Sequence, residues 1–360
     1  MKRMIVLLLF AVSCGGEGNA GGGPFDVALG EPSVVVSLES ELIGHPTDMA
    51  LDPSGRLWVA DARSHRVLVV EPDGAVALMI EGEGEGPGEF RTPSVLEVRD
   101  TLVRVLDSGS MRAQDYRLDG NHIADHPFAS SMLGAAALSG DRIALPTLGR
   151  DSALVEVRGL FDSTRVLLGP PVVPRPTLFD MTAMKAEVAA GGVPAQMRNS
   201  ALPVAGSEGV TWVLVQTEGE VRKYTADGEL LWSRVLDVPE VEQARREFFR
   251  KNAETTEPFA MHFLQTVAAA REVDGDLWLM MAGEAGAPTA LYVLDGEMGE
   301  VRGRLTVGTP APAAGFVVDA ARDRVYLAIP DEASILGVPL PPEVNRPQGE
   351  ARSAEEPRGL

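Results

Sequence analysis

Short apolar runs that alternate with polar residues on a two-residue period recur along the chain, each closed by a turn signal. Asp48-Met49-Ala50-Leu51 is one, and Pro53-Ser54-Gly55 turns it. Leu57 to Ala60 and Arg66 to Val70 follow, then Asp73-Gly74 makes a hairpin turn into Val76 to Ile80. Alternation of this kind predicts half-buried β-strands, and the Gly-containing turns predict antiparallel hairpins. Four strands in about forty residues form one compact antiparallel unit.

The unit repeats. Leu57-Trp58-Val59-Ala60-Asp61, with Arg66 five residues after the Asp, is echoed by Val103-Arg104-Val105-Leu106-Asp107 with Arg112. The echo comes about forty-six residues later and ends at a second Asp-Gly turn, Asp119-Gly120. Weaker copies run from Thr211 to Gly228 and from Leu277 to Gly296. On this register the units cover about 48–80, 89–128, 133–168, 202–238, 265–307 and 316–338. The last lacks its fourth strand, for it ends at Pro339-Leu340-Pro341-Pro342. A spare strand, Ser33 to Leu38, precedes the first unit, and adding it to the last removes an open sheet edge. The predicted fold is all-β: a six-bladed β-propeller of four-stranded antiparallel blades, closed by the N-terminal strand at about 33–38.

Two segments break the repeat. In the first, about 170–200, Asp180 is placed to cap a helix from Met181 to Ala190, ended by Gly191-Gly192. In the second, about 239–258, Glu240 to Asn252 reads as a helix with Val241, Ala244, Phe248 and Phe249 on one face. Both join a fourth strand to the next first strand and flank the fourth unit, so they share one face of the ring. They predict a local cap beside the axial channel. Glu240, Arg245, Phe248 and Phe249 are the candidate residues of a binding face there; the alternative is that the helices only shield blade edges, which makes Phe248 and Phe249 core.

Gly44-His45-Pro46-Thr47 through Asp61, followed by Arg66-Val67, resembles an NHL-type repeat. Gly84-Glu85-Gly86-Pro87-Gly88-Glu89-Phe90, then Pro93, resembles the blade junction of bacterial six-bladed propeller lipoproteins. The resemblance implies a six-bladed propeller, mostly of the interaction-platform kind; fold does not transmit activity. Asp61/Arg66 and Asp107/Arg112 recur with the repeat, so they are read as charge-assisted clamps on the blade loops rather than as site residues.

The ends carry an address. Lys2 and Arg3 precede an apolar run from Met4 to Val12, too short to span a bilayer, for which ~20 residues are needed. Ala11-Val12-Ser13-Cys14 resembles a bacterial lipobox, and Cys14 is the single cysteine of the chain. The expected organisation is a signal segment 1–14 with lipidation at Cys14, a Gly-rich tether 15–32, the propeller 33–340 and a polar tail 341–360. The expected location is the cell envelope, extracytoplasmic, with contact to the membrane only through the lipid.

Net charge is −20 with dispersed acids, which disfavours nucleic acid as a partner. No HExxH, CxxC, DxDxDG or GxSxG spacing occurs. His122 and His126, four apart, fall on an outer strand where they need not meet one metal. The reading is a monomeric, non-enzymatic platform for a protein or small-molecule ligand, with no cofactor. The alternative is a cation-dependent hydrolase or lyase, similar to gluconolactonases, holding Ca²⁺ in the axial channel.

Overall fold

The structure, a computed structural model, describes residues 24–36, 43–128, 136–176, 179–257, 259–284, 286–341 and 344. Cys14, the expected signal segment 1–14 and residues 345–360 lie outside the described residues. Two strands precede the first repeat: β1 (Phe25–Ala28) and β2 (Ser33–Val36). Blade 1 is β3 (Pro46–Leu51), β4 (Leu57–Asp61), β5 (Arg66–Val70) and β6 (Val76–Glu81). Blade 2 is β7 (Pro93–Val98), β8 (Leu102–Asp107), β9 (Arg112–Arg117) and β10 (His122–Pro127). Blade 3 is β11 (Ala137–Ser139), β12 (Arg142–Pro146), β13 (Val155–Gly159) and β14 (Arg165–Leu168).

Blade 4 follows the first insertion with β15 (Ala201–Ala205), β16 (Thr211–Val215), β17 (Glu220–Tyr224) and β18 (Leu230–Val235). Blade 5 follows the second with β19 (Val267–Val273), β20 (Asp276–Met281), β21 (Thr289–Leu294) and β22 (Val301–Val307). Blade 6 has β23 (Gly315–Asp319), β24 (Arg324–Ile329) and β25 (Ser334–Pro339). Its fourth strand is β2, antiparallel to β25, so the ring closes with the N-terminal strand. The propeller thus has six blades, each built on four antiparallel strands.

One strand departs from the expected plan. Residues 25–28, assigned by composition to the tether, form β1 and add to blade 5 as a fifth strand, parallel to β22. Phe25 and Val27 pack against the apolar layer between blades 5 and 6. Gly303 makes room for this: a side chain there would meet the Phe25 ring at 2.3 Å. An alternating apolar pair next to Gly-rich sequence is a weak strand signal, and only the bare edge of blade 5 gives it a partner.

The core consists of layers between blades. Ala50, Trp58, Val67 and Val69 of blade 1 meet Phe90, Leu96, Val103 and Tyr116 of blade 2, and each later pair of neighbours has its own layer. This explains why β4, β16 and β21 are buried at every position: a middle strand is covered on both faces by adjacent blades. The layer between blades 2 and 3 is the thinnest among the described residues, with Leu106, Ala113, Leu138, Ile143 and Leu145 buried.

A buried polar lock stands at that seam. Arg104 donates from Nε and Nη2 to the two oxygens of Asp115, at 2.6 and 2.7 Å, and reaches across to the Gly140 carbonyl of blade 3. His126 Nε2 lies 3.0 Å from Asp115 Oδ2, with its ring edge-on to Phe161 of blade 3 at 4.6 Å. Burial alone would raise the Asp115 pKa, but the hydrogen bonds from Arg104 and His126 outweigh it and hold the carboxyl below its ordinary value. Asp52 is lowered in the same way: burial pushes up, while Ser54, Arg56 and Trp58 donate to it. Glu156 and Glu220 follow the same pattern with Arg158/Arg165 and Arg222.

Carboxylates whose folded pKa is depressed stabilise the fold above their unfolded pKa of ~4, and that contribution is lost as pH falls through the folded value. Asp276, raised by burial despite Arg302, has the opposite sign and offsets part of the loss. The urea midpoint should therefore be level between about pH 7 and 5 and drop steeply below about pH 4. A midpoint that rises on acidification from pH 5 to 3 would contradict this assignment.

Candidate functional site

The segments that interrupt the repeat fold into one cap. In the first, Asp180 Oδ1 accepts from the amides of Thr182 at 2.9 Å and Ala183 at 3.1 Å, which starts α1 (Met181–Ala189). Gly191, at φ +83°, ends it in the left-handed region that favours glycine. A single turn, α2 (Ala195–Arg198), follows and had no counterpart in the sequence reading. In the second segment α3 (Pro239–Glu254) opens with Pro at its first position, where no amide is missed. Glu247, Arg250, Lys251 and Glu254 form salt bridges along the helix. Hydrogen bonding from Arg250 and then Lys251 lowers the Glu247 pKa to about 2.

The two segments pack on each other through Met184, Val188, Met197, Phe248 and Leu264, with Phe249 edge-on to Phe248 at 5.1 Å. Lys185 Nζ donates to the Glu257 carbonyl. Asn252 folds the chain after α3 back on itself, donating to the carbonyls of Phe248 and His262 and accepting from the His262 amide at 3.0 Å. Phe248 is buried in this small core and Phe249 is half-buried beside it.

Glu240 and Arg245 fasten the cap to the ring. The Glu240 carboxylate accepts from Tyr292 Oη at 2.7 Å and from Arg304 Nη2 at 2.7 Å, both of blade 5. Arg245 Nη2 donates to the Thr217 carbonyl in the β16–β17 loop of blade 4, at 2.9 Å. Four residues singled out from the second insertion are thus engaged with the protein itself.

Beside its charged residues, the cap offers three aromatic side chains to solvent. Phe179 is 67 % exposed, Phe259 85 % and Phe263 63 %. Phe179 lies between β14 and β15, and Phe259 and Phe263 lie between β18 and β19, just beyond the expected limit of the second insertion; none was singled out from sequence. Phe263 also lines a cleft of about 190 Å³ between α3 and blade 5, with Gln243, Lys251, His262 and Gln265.

The repeated Asp and Arg take different partners in the two blades. Asp61, fully buried, accepts from the Gly44 and His45 amides at 2.8 and 2.7 Å and from Arg66 Nε at 3.2 Å. Asp107 accepts the equivalent amides, Arg91 and Thr92, at 2.9 and 2.7 Å, and the Ser110 hydroxyl at 2.6 Å. Arg112 does not turn to Asp107. Its guanidinium binds the carbonyls of Glu85, Gly86 and Glu89 and so holds the Gly-rich junction. His122 and His126 both lie on β10 and go to different carboxylates, Asp125 and Asp115.

The axial channel, about 750 Å³, is lined by the first strand of every blade. Arg271 of β19 crosses part of it, donating to the Phe316 and Met49 carbonyls at 2.7 Å and pairing with Asp48. Asp48 in turn accepts the Leu96 amide at 2.8 Å, so the pair stitches blades 5, 6, 1 and 2. Glu97 accepts the Gly140 amide, and Glu272 the Ser207 amide. Calcium takes 6–8 oxygen ligands that must converge. Here Asp48, Glu97 and Glu272 are each used by a neighbouring blade. Among the described residues no three His, Cys, Asp or Glu side chains gather to hold a metal.

Residues 44–70, which span β3, β4 and β5, match the family model of the NHL repeat. No curated protein sequence matches the chain. Among solved structures, a streptogramin B lyase shares 13 % identity, covering 83 % of this chain and 94 % of that chain, with a TM-score of 0.48. A gluconolactonase from Xanthomonas campestris shares 14 %, covering 90 % and 99 %, with a TM-score of 0.47. U3-55K shares 10 %, covering 86 % and 98 %, with a TM-score of 0.51. At such identities the likeness is one of fold.

Proposed function

We propose that this six-bladed β-propeller, whose first blade carries an NHL repeat, is a lipid-anchored extracytoplasmic platform that binds a protein or other ligand on its capped face. The observation that carries the reading is the exposure of Phe179, Phe259 and Phe263 on the two segments that depart from the repeat. Single exposed apolar side chains are ordinary on a surface. Here three of the largest apolar side chains stand on a cap whose other aromatic residues, Phe248 and Phe249, were folded inward. Burying a phenylalanine at an interface is worth ~1.5–3 kcal/mol, so three can anchor a partner.

The test is the triple variant F179S/F259S/F263S, used as bait for cell-envelope extracts. These side chains contribute little to the packed core, so the thermal midpoint should stay within about 2 °C of the parent. Captured partner should fall on the order of tenfold or more. Undiminished capture by a well-folded triple variant would move the binding surface elsewhere on the ring.

A further inference from the structure

We infer that the lipid anchor and the cap lie on opposite faces of the propeller, so that anchoring turns Phe179, Phe259 and Phe263 away from the bilayer toward a partner in the aqueous compartment. This rests on the lipidation of Cys14 proposed above. The argument is topological. Strands alternate in direction within each blade, so every connection from a fourth strand to the next first strand lies on one face. The segments bearing α1 and α3 are such connections, following β14 and β18. The turn between the third and fourth strands of a blade lies on the other face.

β1 joins the fourth strand of blade 5, β22, and runs parallel to it, with Phe25 opposite Gly303 and Ala28 opposite Thr306. Leu29 continues the pairing, its amide donating to Thr306 at 2.8 Å. The chain therefore enters blade 5 from the end that carries the β21–β22 turn, Asp295–Glu300, and moves toward the cap face. The last strand agrees. β25 runs away from the cap face, and the Leu340 amide ends on the Asp323 carbonyl in the β23–β24 turn.

Chain length makes this orientation consequential. About ten residues separate Cys14 from Pro24, a span of ~33–36 Å when fully stretched. Bringing the bilayer to the cap would require passing the seven-residue height of β22, ~23 Å. A cap helix adds ~10 Å. That uses nearly the whole contour. Reaching a bilayer below the β21–β22 turn requires almost none of it.

The experiment uses the full lipidated chain in phosphatidylethanolamine/phosphatidylglycerol vesicles that carry a nitroxide-headgroup lipid. Cys14 is the only native cysteine and is consumed by the lipid, so E297C in the β21–β22 turn and F259C on the cap each give one labelling site. A fluorophore at E297C should lose at least half its emission, and one at F259C should keep it. Equal quenching, or stronger quenching at F259C, overturns the orientation while leaving the anchor intact. Cys14→Ala must fail to float with the vesicles. If the parent chain also fails to float, the anchoring reading falls, and this inference with it.

Discussion

Asp115→Ala should lower the unfolding free energy by about 3–5 kcal/mol, the largest loss expected from any single polar substitution in this ring. The reason is asymmetric. Arg104 is 2 % exposed and Asp115 5 %, so removing the carboxylate takes away both short hydrogen bonds of a buried guanidinium and leaves it only the exposed Asp141 carboxylate at 3.8 Å. His126 loses its partner too, and the hold of Arg104 on Gly140 then joins blades 2 and 3 through a charge that only the longer Asp141 contact offsets. The seam has little apolar reserve to absorb this, since its core layer is the thinnest of those described. Replacing both members, as in R104M/D115L, should recover much of the loss, because apolar side chains of similar size avoid the desolvation cost altogether. Urea unfolding of the three proteins checks this. A loss below about 1 kcal/mol for Asp115→Ala would show that the pair is well solvated and the lock unimportant.

Asp61→Ala and Asp107→Ala should each cost about 2–4 kcal/mol, because each strands two backbone amides at the entry to a blade's first strand. The two blades should differ in how the paired arginine behaves. Asp61 and Arg66 share a hydrogen bond at 3.2 Å, so a double-mutant cycle between them should show a coupling of about 0.5–1.5 kcal/mol. Arg112 binds the carbonyls of the 85–89 junction instead, so the coupling between Asp107→Ala and Arg112→Ala should be smaller than that between Asp61 and Arg66. Equal coupling in both blades would mean that the arginines do the same work after all.

That contrast shows how far the repeat could be read. The Asp was legible as loop hardware because its partners are local: the amides it accepts sit about sixteen residues before it in both blades. The partner of Arg112 was not legible, for nothing in the spacing distinguishes Asp107 from the carbonyls of a Gly-rich junction. Strand limits in blade 1 followed the alternation to within about two residues, and the β2 closure followed from counting strands. The helices were visible from Asp180 and from the face holding Phe248, whose burial corresponds to the shielding alternative for that residue.

Contacts between blades were out of reach. Arg104 meets Asp115 across one hairpin, but its burial depends on blade 3 closing over it. Arg271 and Asp48 are joined only when the ring brings blade 5 back beside blade 1. The outward aim of Phe259 and Phe263 is set by the turn that Asn252 makes with His262, a contact that no periodicity announces.

The alternation of apolar and polar residues specified which segments are strands, how many blades they make and where the pattern breaks, because a strand's two faces are set by neighbours along the chain. Which polar groups end up paired, which phenylalanines remain in solvent and which end of blade 5 receives the N-terminal segment were determined by ring closure. Those outcomes depend on surfaces that meet only after distant blades have docked, and burial, charge pairing and exposure are properties of the assembled surfaces.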